Sequence, residues 1–201
     1  MASYLMGWVY KNGAILLPGS SRVTPATWDD LKVPMSAVKI QAADKPPDFE
    51  EFIAGSDLYT YAFDGADDEQ VFFVIQVNHN YKFGTDLHCH VHWSPTTNDA
   101  GNVQWCLSFT VAEIGGTFSS PAAATCATGA AGGTAWTHNI TELVEIDGSA
   151  IDSVSSMGVM RLYRFGSDPA DTYNAHDAAL LEFDCHYQID SWGSDTEYTK
   201  T

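Results

Sequence analysis

The stretch Asp86-Leu87-His88-Cys89-His90-Val91-His92-Trp93 alternates polar with apolar residues along its length. A period of two is the signature of a β-strand, whose successive side chains point to opposite faces. Leu87, Cys89, Val91 and Trp93 therefore share a core-facing side, and His88, His90 and His92 share the other. Downstream, Val103, Trp105, Leu107, Phe109 and Val111 alternate with Gln104, Cys106, Ser108 and Thr110. The connection between them, Ser94-Pro95-Thr96-Thr97-Asn98-Asp99-Ala100-Gly101-Asn102, is rich in turn-formers, which predicts a hairpin.

The same period recurs through the second two thirds of the chain, with almost no helical periodicity. Val71, Phe73, Ile75 and Val77 share one face of a strand; Phe72 and Val74 make its other face apolar, as in a central or interface strand. Further strands are predicted at Tyr59–Phe63, near His138–Ile146, at Val159–Phe165 and at Leu181–Ile189. Roughly eight strands separated by turns imply an all-β domain, a two-sheet antiparallel β-sandwich of jelly-roll type, with a closed barrel as the alternative. This domain is assigned to residues 57–201.

Residues 1–56 mix Trp8, Tyr10, Ile15, Leu16, Leu17 and Trp28 with turn-formers and show no sustained period. A disordered tail carries fewer apolar groups. The segment reads as an extended N-terminal arm that packs on its own sandwich, on another subunit or on a different protein. Trp8, Tyr10, Leu16, Leu17 and Trp28 are its candidate interface residues. Gly115–Gly133 reads as a long small-residue loop, and Gly166–Ala179 as a surface excursion.

Composition narrows the function. The chain has 201 residues and carries 26 acidic against 9 basic ones, a formal net charge of −17. Phosphate recognition needs clustered Lys and Arg, so nucleic acid and anionic membranes are not expected partners. Met1–Tyr10 lacks the basic start and unbroken apolar run of an export signal, and the apolar runs are too short to span a bilayer. Cys89, Cys106, Cys126 and Cys185 form no Cys-x-x-Cys pair, and within strands they are expected to act as small buried residues rather than disulfides.

The three histidines leave three readings open. They are candidate metal ligands (His88, His90, His92), with His186 and Asp184 on the last strand as further donors, because zinc needs three or four converging nitrogen, sulfur or oxygen groups. They can sense pH against nearby carboxylates. They can also be a polar sheet face or subunit interface, hydrogen-bonded to groups such as Asp184, and this last reading is the expectation: no cofactor and no catalytic residue. The likeness to a cupin metal motif is partial, since no second-motif Gly-Pro-x-x-x-His follows. The acidic turn Asp64–Glu69 lacks EF-hand spacing and reads as a solvated turn. Glu113 and Glu182 form no more than an arbitrary glycosidase pair, and there is no nucleophile elbow, P-loop or dinucleotide fingerprint.

Several segments, in order, resemble a group of tailed-bacteriophage virion proteins: Trp28-Asp29-Asp30-Leu31 with Pro34; Tyr81–Leu87 running into His90-Val91-His92-Trp93; Gly101–Trp105; and Leu181–Asp190 through Gly193-Ser194 and Glu197-Tyr198. His88 departs from the pattern, whereas His90 and His92 fit it. The resemblance implies a non-enzymatic particle component assembled in the host cytoplasm. Its expected form is a capsid decoration or cement protein, a homo-oligomer and specifically a trimer, with phage capsid or neck proteins as partners. A neck or tail appendage that binds a receptor or glycan is the alternative, and a cupin-like metal protein a further one.

Overall fold

The computed structural model describes residues 9–11, 14–16, 27–41, 45–194 and 196–200; for the first two segments and for Ala150 it describes the backbone alone. Twelve strands are present among these residues: β1 (Val9–Lys11), β2 (Ala14–Leu16), β3 (Thr27–Pro34), β4 (Asp48–Glu51), β5 (Tyr59–Phe63), β6 (Asp68–Gln76), β7 (Leu87–Pro95), β8 (Asn102–Ala112), β9 (Thr125–Ala130), β10 (Asn139–Ile146), β11 (Met157–Phe165) and β12 (Ala178–Ile189). Two single turns of 3-10 helix are the only helical elements described.

β1 and β2 pair with each other. The remaining strands form two antiparallel sheets, so the all-β sandwich expected from the periodicity is what the chain adopts. The larger sheet runs β10-β7-β12-β5-β4, with β3 also on β12. The long strand β12 has β7 along one side; on its other side β5 pairs with Ala178 and Ala179, and β3 takes over from Glu182 to Ile189. The smaller sheet runs β6-β11-β8-β9.

One core lies between the sheets. Aromatic pairs tie one layer to the other: Phe73 to Phe183 at 4.7 Å between ring centroids, Phe63 to Trp105 at 5.1 Å, and Trp93 to Trp105 at 6.3 Å. Trp93 and Trp105 are fully buried, and aromatics of this size dominate the apolar area such a core removes from water.

The predicted hairpin between the histidine strand and the next one does not form. β7 and β8 belong to different sheets, and Thr96–Gly101 crosses between them. A connection of that length spans the roughly 10 Å separating packed sheets, and crossing lets the apolar faces of both strands meet. The apolar strand β6, expected to be a central or an interface strand, is not central: it lies at the edge of the smaller sheet, where an isolated bridge between Lys39 and Phe72 covers part of that edge.

The long small-residue loop contains a strand. β9 pairs with β8 from Asn102↔Ala130 to Leu107↔Thr125, which places Cys106 opposite Cys126. These two form a disulfide, contrary to the reading of all four cysteines as free; Cys89 and Cys185 are the free, buried pair, facing each other across β7 and β12. One small residue of β9, Gly129, has a steric cause. A Cβ on Gly129 would lie 2.0 Å from Thr141 Oγ1 and 3.0 Å from the Trp93 ring, so the strand approaches too closely for a side chain there. Thr141 Oγ1 in turn accepts a 2.9 Å hydrogen bond from Trp93 Nε1.

The excursion over Gly166–Ala179 is no loose surface loop. Arg164, fully buried at the end of β11, makes a two-pronged ion pair with Asp171, Nε to Oδ2 and Nη2 to Oδ1 both at 2.8 Å. It also donates to the carbonyls of Phe63, Tyr173 and His176, which uses all five guanidinium N–H groups. Gly65 makes room, because a Cβ there would lie 2.8 Å from Arg164 Nη2.

Of the segment expected to be an arm, Thr27–Pro34 and Asp48–Glu51 are strands of the larger sheet. Leu31 and Val33 of β3 enter the core, and the Tyr187 hydroxyl donates to Asp29 Oδ2 at 3.1 Å. Here the apolar arm residues pack on the chain's own sandwich.

Candidate functional site

β-sheet register gathers the histidines. On the outer face of the larger sheet, His88 stands opposite His186 on one side and Glu145 on the other; His90 stands opposite Asp184 and Glu142; His92 opposite Glu182 and Ile140. β3 adds Asp30 opposite His186 and Lys32 opposite Asp184. The four predicted ligand candidates, His88, His90, His92 and His186, therefore share one face across β7 and β12. His138, just before β10, joins them, its Nε2 lying 2.7 Å from His92 Nδ1.

Asp184 is the centre of this face. Its side chain is only 3% exposed, with His92 Nε2 at 3.3 Å and His90 Nδ1 at 3.5 Å from Oδ1, and His186 Nε2 at 3.2 Å from Oδ2. His186 Nε2 also lies 3.4 Å from Asp30 Oδ1, and the His90 and His186 rings are 4.4 Å apart. Burial holds the His90 pKa below its ordinary value, and the neighbouring His186 and His92 push it the same way against the pull of Asp184 and Glu142. His90 is thus biased to the neutral imidazole, the form that carries a lone pair.

His88 is separate in character. It pairs with the exposed Glu145 at 3.1 Å and meets the edge of the Trp28 ring at 5.0 Å. Trp28 is thereby placed on the histidine face, half exposed. Of the other candidate interface residues, Trp8 and Leu17 lie outside the described residues, while Tyr10 and Leu16 fall on the β1–β2 hairpin, described by its backbone alone.

The remaining candidates do not assemble into a catalytic pair. Glu182 is on the histidine face of the larger sheet, whereas Glu113 follows β8 of the other sheet and has its pKa raised by Asp152 beside it. The acidic turn is organised by its own hydrogen bonds: Asp64 Oδ1 accepts from the Ala66 amide and Glu69 Oε2 from the Asp64 amide, both at 2.6 Å, while Lys45 pairs with Asp67.

Glu69 is the unusual member, pointing inward at the start of β6. Burial pushes its pKa up to about 7, with Asp64, Asp48 and Asp177 adding repulsion against the Asp64 amide, which favours the carboxylate. Between the ordinary value of 4.5 and about 7 the unfolded chain ionises this group first. Stability therefore falls as pH rises through that window. Glu69→Gln keeps the acceptor and removes the charge. Urea unfolding at pH 5 and pH 8 should show a smaller difference between the two pH values in this variant than in the wild type; an equal difference would show that Glu69 carries none of the dependence.

A second surface feature lies at the outer strand β4 and its turn. Phe49, Leu58 and Tyr59 are 57%, 62% and 50% exposed, Ile53 is exposed beside them, and Phe49 stacks on Tyr59 with centroids 5.7 Å apart. Phe52 meets Trp136 edge-on at 5.1 Å. Glu50, Glu51, Phe52, Thr60, Trp136 and Asp177 border a cleft of about 100 Å³. The histidine face was visible in the sequence as alternation. This flank was not, because Phe49, Leu58 and Tyr59 look like core residues until strand pairing places them outside.

Among the described residues no helix is long and apolar enough to cross a membrane. No family model matches the chain, and no curated protein matches it. Among solved structures it is similar to the dimeric latent PorU from Porphyromonas gingivalis, at 14% identity and a TM-score of 0.32 over 90% of this chain. The chain spans 14% of the length of that protein, and a likeness of this degree assigns it neither family nor function.

Proposed function

We propose that this chain is a non-enzymatic bacteriophage virion structural protein, a capsid decoration or cement protein that docks through its N-terminal arm and through contacts with further copies of itself, in a trimer. The observation that carries the reading is the exposed apolar flank of Phe49 on the outer strand β4, Ile53 and Leu58 in the turn after it, and Tyr59 at the start of β5. Asp48, Glu50 and Glu51 guard the open edge of β4 against backbone pairing, so the support comes from the exposed apolar side chains themselves, which together mark a surface suited to contact with another chain. The ordered motifs shared with phage virion proteins support the same reading. So does the strand order, β5-β12-β7-β10 facing β6-β11-β8-β9, which we read as a jelly roll with β3 and β4 added at one side.

One observation favours an appendage that binds glycan: the cleft beside Trp136 combines aromatic rings with Glu50, Glu51 and Asp177, a chemistry suited to sugar hydroxyls. Removal of residues 1–26 separates the two readings, because it stops short of β3 and leaves the sandwich whole. Mixed with capsids assembled without this chain, the shortened protein should fail to sediment with them while the full chain does. Equal sedimentation of the two forms would remove the arm from docking, and glycan-array binding by both forms with sedimentation by neither would move the function to the cleft.

A further inference from the structure

Seven buried side-chain polar atoms make no hydrogen bond among the described residues, and three of them meet at one point: His90 Nδ1, His92 Nε2 and Asp184 Oδ1. A buried carboxylate needs a compensating charge or a full set of donors. Asp184 has imidazoles on three sides at 3.2 to 3.5 Å, yet Oδ1 receives no hydrogen bond from any of them.

Those separations, to Oδ1 for His90 and to Oδ2 for His186, lie close to those of a different arrangement. Ligand atoms bound tetrahedrally at about 2.0–2.1 Å lie about 3.3–3.4 Å from one another. His90, Asp184 and His186 each offer one ligand atom, all within 4.8 Å of one another. We propose that His90, Asp184 and His186 form a structural binding site for a divalent transition metal of the zinc class, with water in the fourth position.

The donor set is two imidazole nitrogens and one carboxylate oxygen, which suits zinc and its neighbours better than the all-oxygen shells of calcium or magnesium. The ligands come from a rigid pair of strands: His90 from β7, Asp184 directly opposite on β12, and His186 two residues further along the same face. Asp30, against His186, acts as an outer support that fixes ligand orientation; His92, held by His138, places its unpartnered Nε2 3.3 Å from Asp184 Oδ1. The metal would neutralise Asp184 and clamp β7 to β12, which joins the strands on either side. This site stands apart from the assembly reading and does not depend on it.

The test uses the full chain without a histidine tag, stripped with chelator and titrated with zinc chloride by calorimetry, then with cobalt to read coordination from its visible spectrum. Expected are one equivalent bound, a tetrahedral cobalt spectrum, a higher melting temperature with zinc, and affinity weakened by at least about 100-fold in His90→Ala and His186→Ala, beyond the 10- to 100-fold typical of lost outer supports. His186 is part-exposed, so its variant folds, which circular dichroism verifies. His88→Ala, altering the neighbouring His88–Glu142–Glu145 cluster, should bind as the wild type does. No binding by the wild type, binding unchanged in His186→Ala, or loss in His88→Ala alone would each overturn the assignment.

Discussion

Arg164→Ala should lower the unfolding free energy by about 3–5 kcal/mol, the range for removing one partner of a buried ion pair. In a chain of this size that corresponds to a fall in melting temperature on the order of 10 °C. The cost arises from what is left behind. Asp171 would remain buried with a full charge, keeping only the 3.0 Å hydrogen bond from the Gln104 amide, and the carbonyls of Phe63, Tyr173 and His176 would lose a donor together. The segment from Gly166 to Asp177, which Arg164 holds against the end of the sandwich, would detach with them. Replacing both partners by apolar residues, Arg164→Met with Asp171→Leu, should cost less than Arg164→Ala alone, because no uncompensated charge stays buried. A double variant as unstable as the sum of the two single ones would place the energy in packing rather than in the pair.

The contrast between strands shows what alternation can and cannot convey. β7, β8 and most of β12 were legible because each packs one apolar face on the core, so the period of two runs through Leu87–Trp93, Val103–Val111 and Phe183–Ile189; at the start of β12 a bulge puts Leu180 rather than Leu181 in the core. β9 was illegible because it buries only Gly129, where Trp93 and Thr141 leave no room for a side chain, so no apolar face marks the strand. β3 was hidden because only Leu31 and Val33 of its eight residues reach the core. The disulfide escaped for a related reason: Cys126 lies in the unrecognised strand, and only the register with β8 sets it opposite Cys106.

The histidine face was half legible. Alternation put His88, His90 and His92 on one side, and the choice of His186 and Asp184 as further donors requires only that β12 neighbour β7, as it does. The sequence could not rank the three histidines. Register pairs His90 with Asp184, leaves His88 to the exposed Glu145, and sets His92 opposite Glu182. His88 is the one outside the Asp184 cluster.

The second large effect is expected on assembly. Phe49→Glu with Leu58→Glu should convert an oligomer into a monomer without unfolding it, since both side chains are more than half exposed and contribute little to the core. Central apolar residues of an interface each cost about 2–4 kcal/mol when lost, roughly 30- to 1,000-fold in dissociation constant. Buried acidic side chains facing a chain of net charge −17 add repulsion to that loss. Oligomers that persist in this variant with unchanged mass would remove the flank from the interface and direct attention to the arm.

The most direct test is the mass of the full chain in solution, measured by light scattering after size exclusion at tens of micromolar. Assembly through the apolar flank predicts a species of three times the 21.9 kDa chain mass, falling to one chain mass in the Phe49→Glu, Leu58→Glu variant. A wild-type chain that stays at 21.9 kDa at every concentration would contradict it.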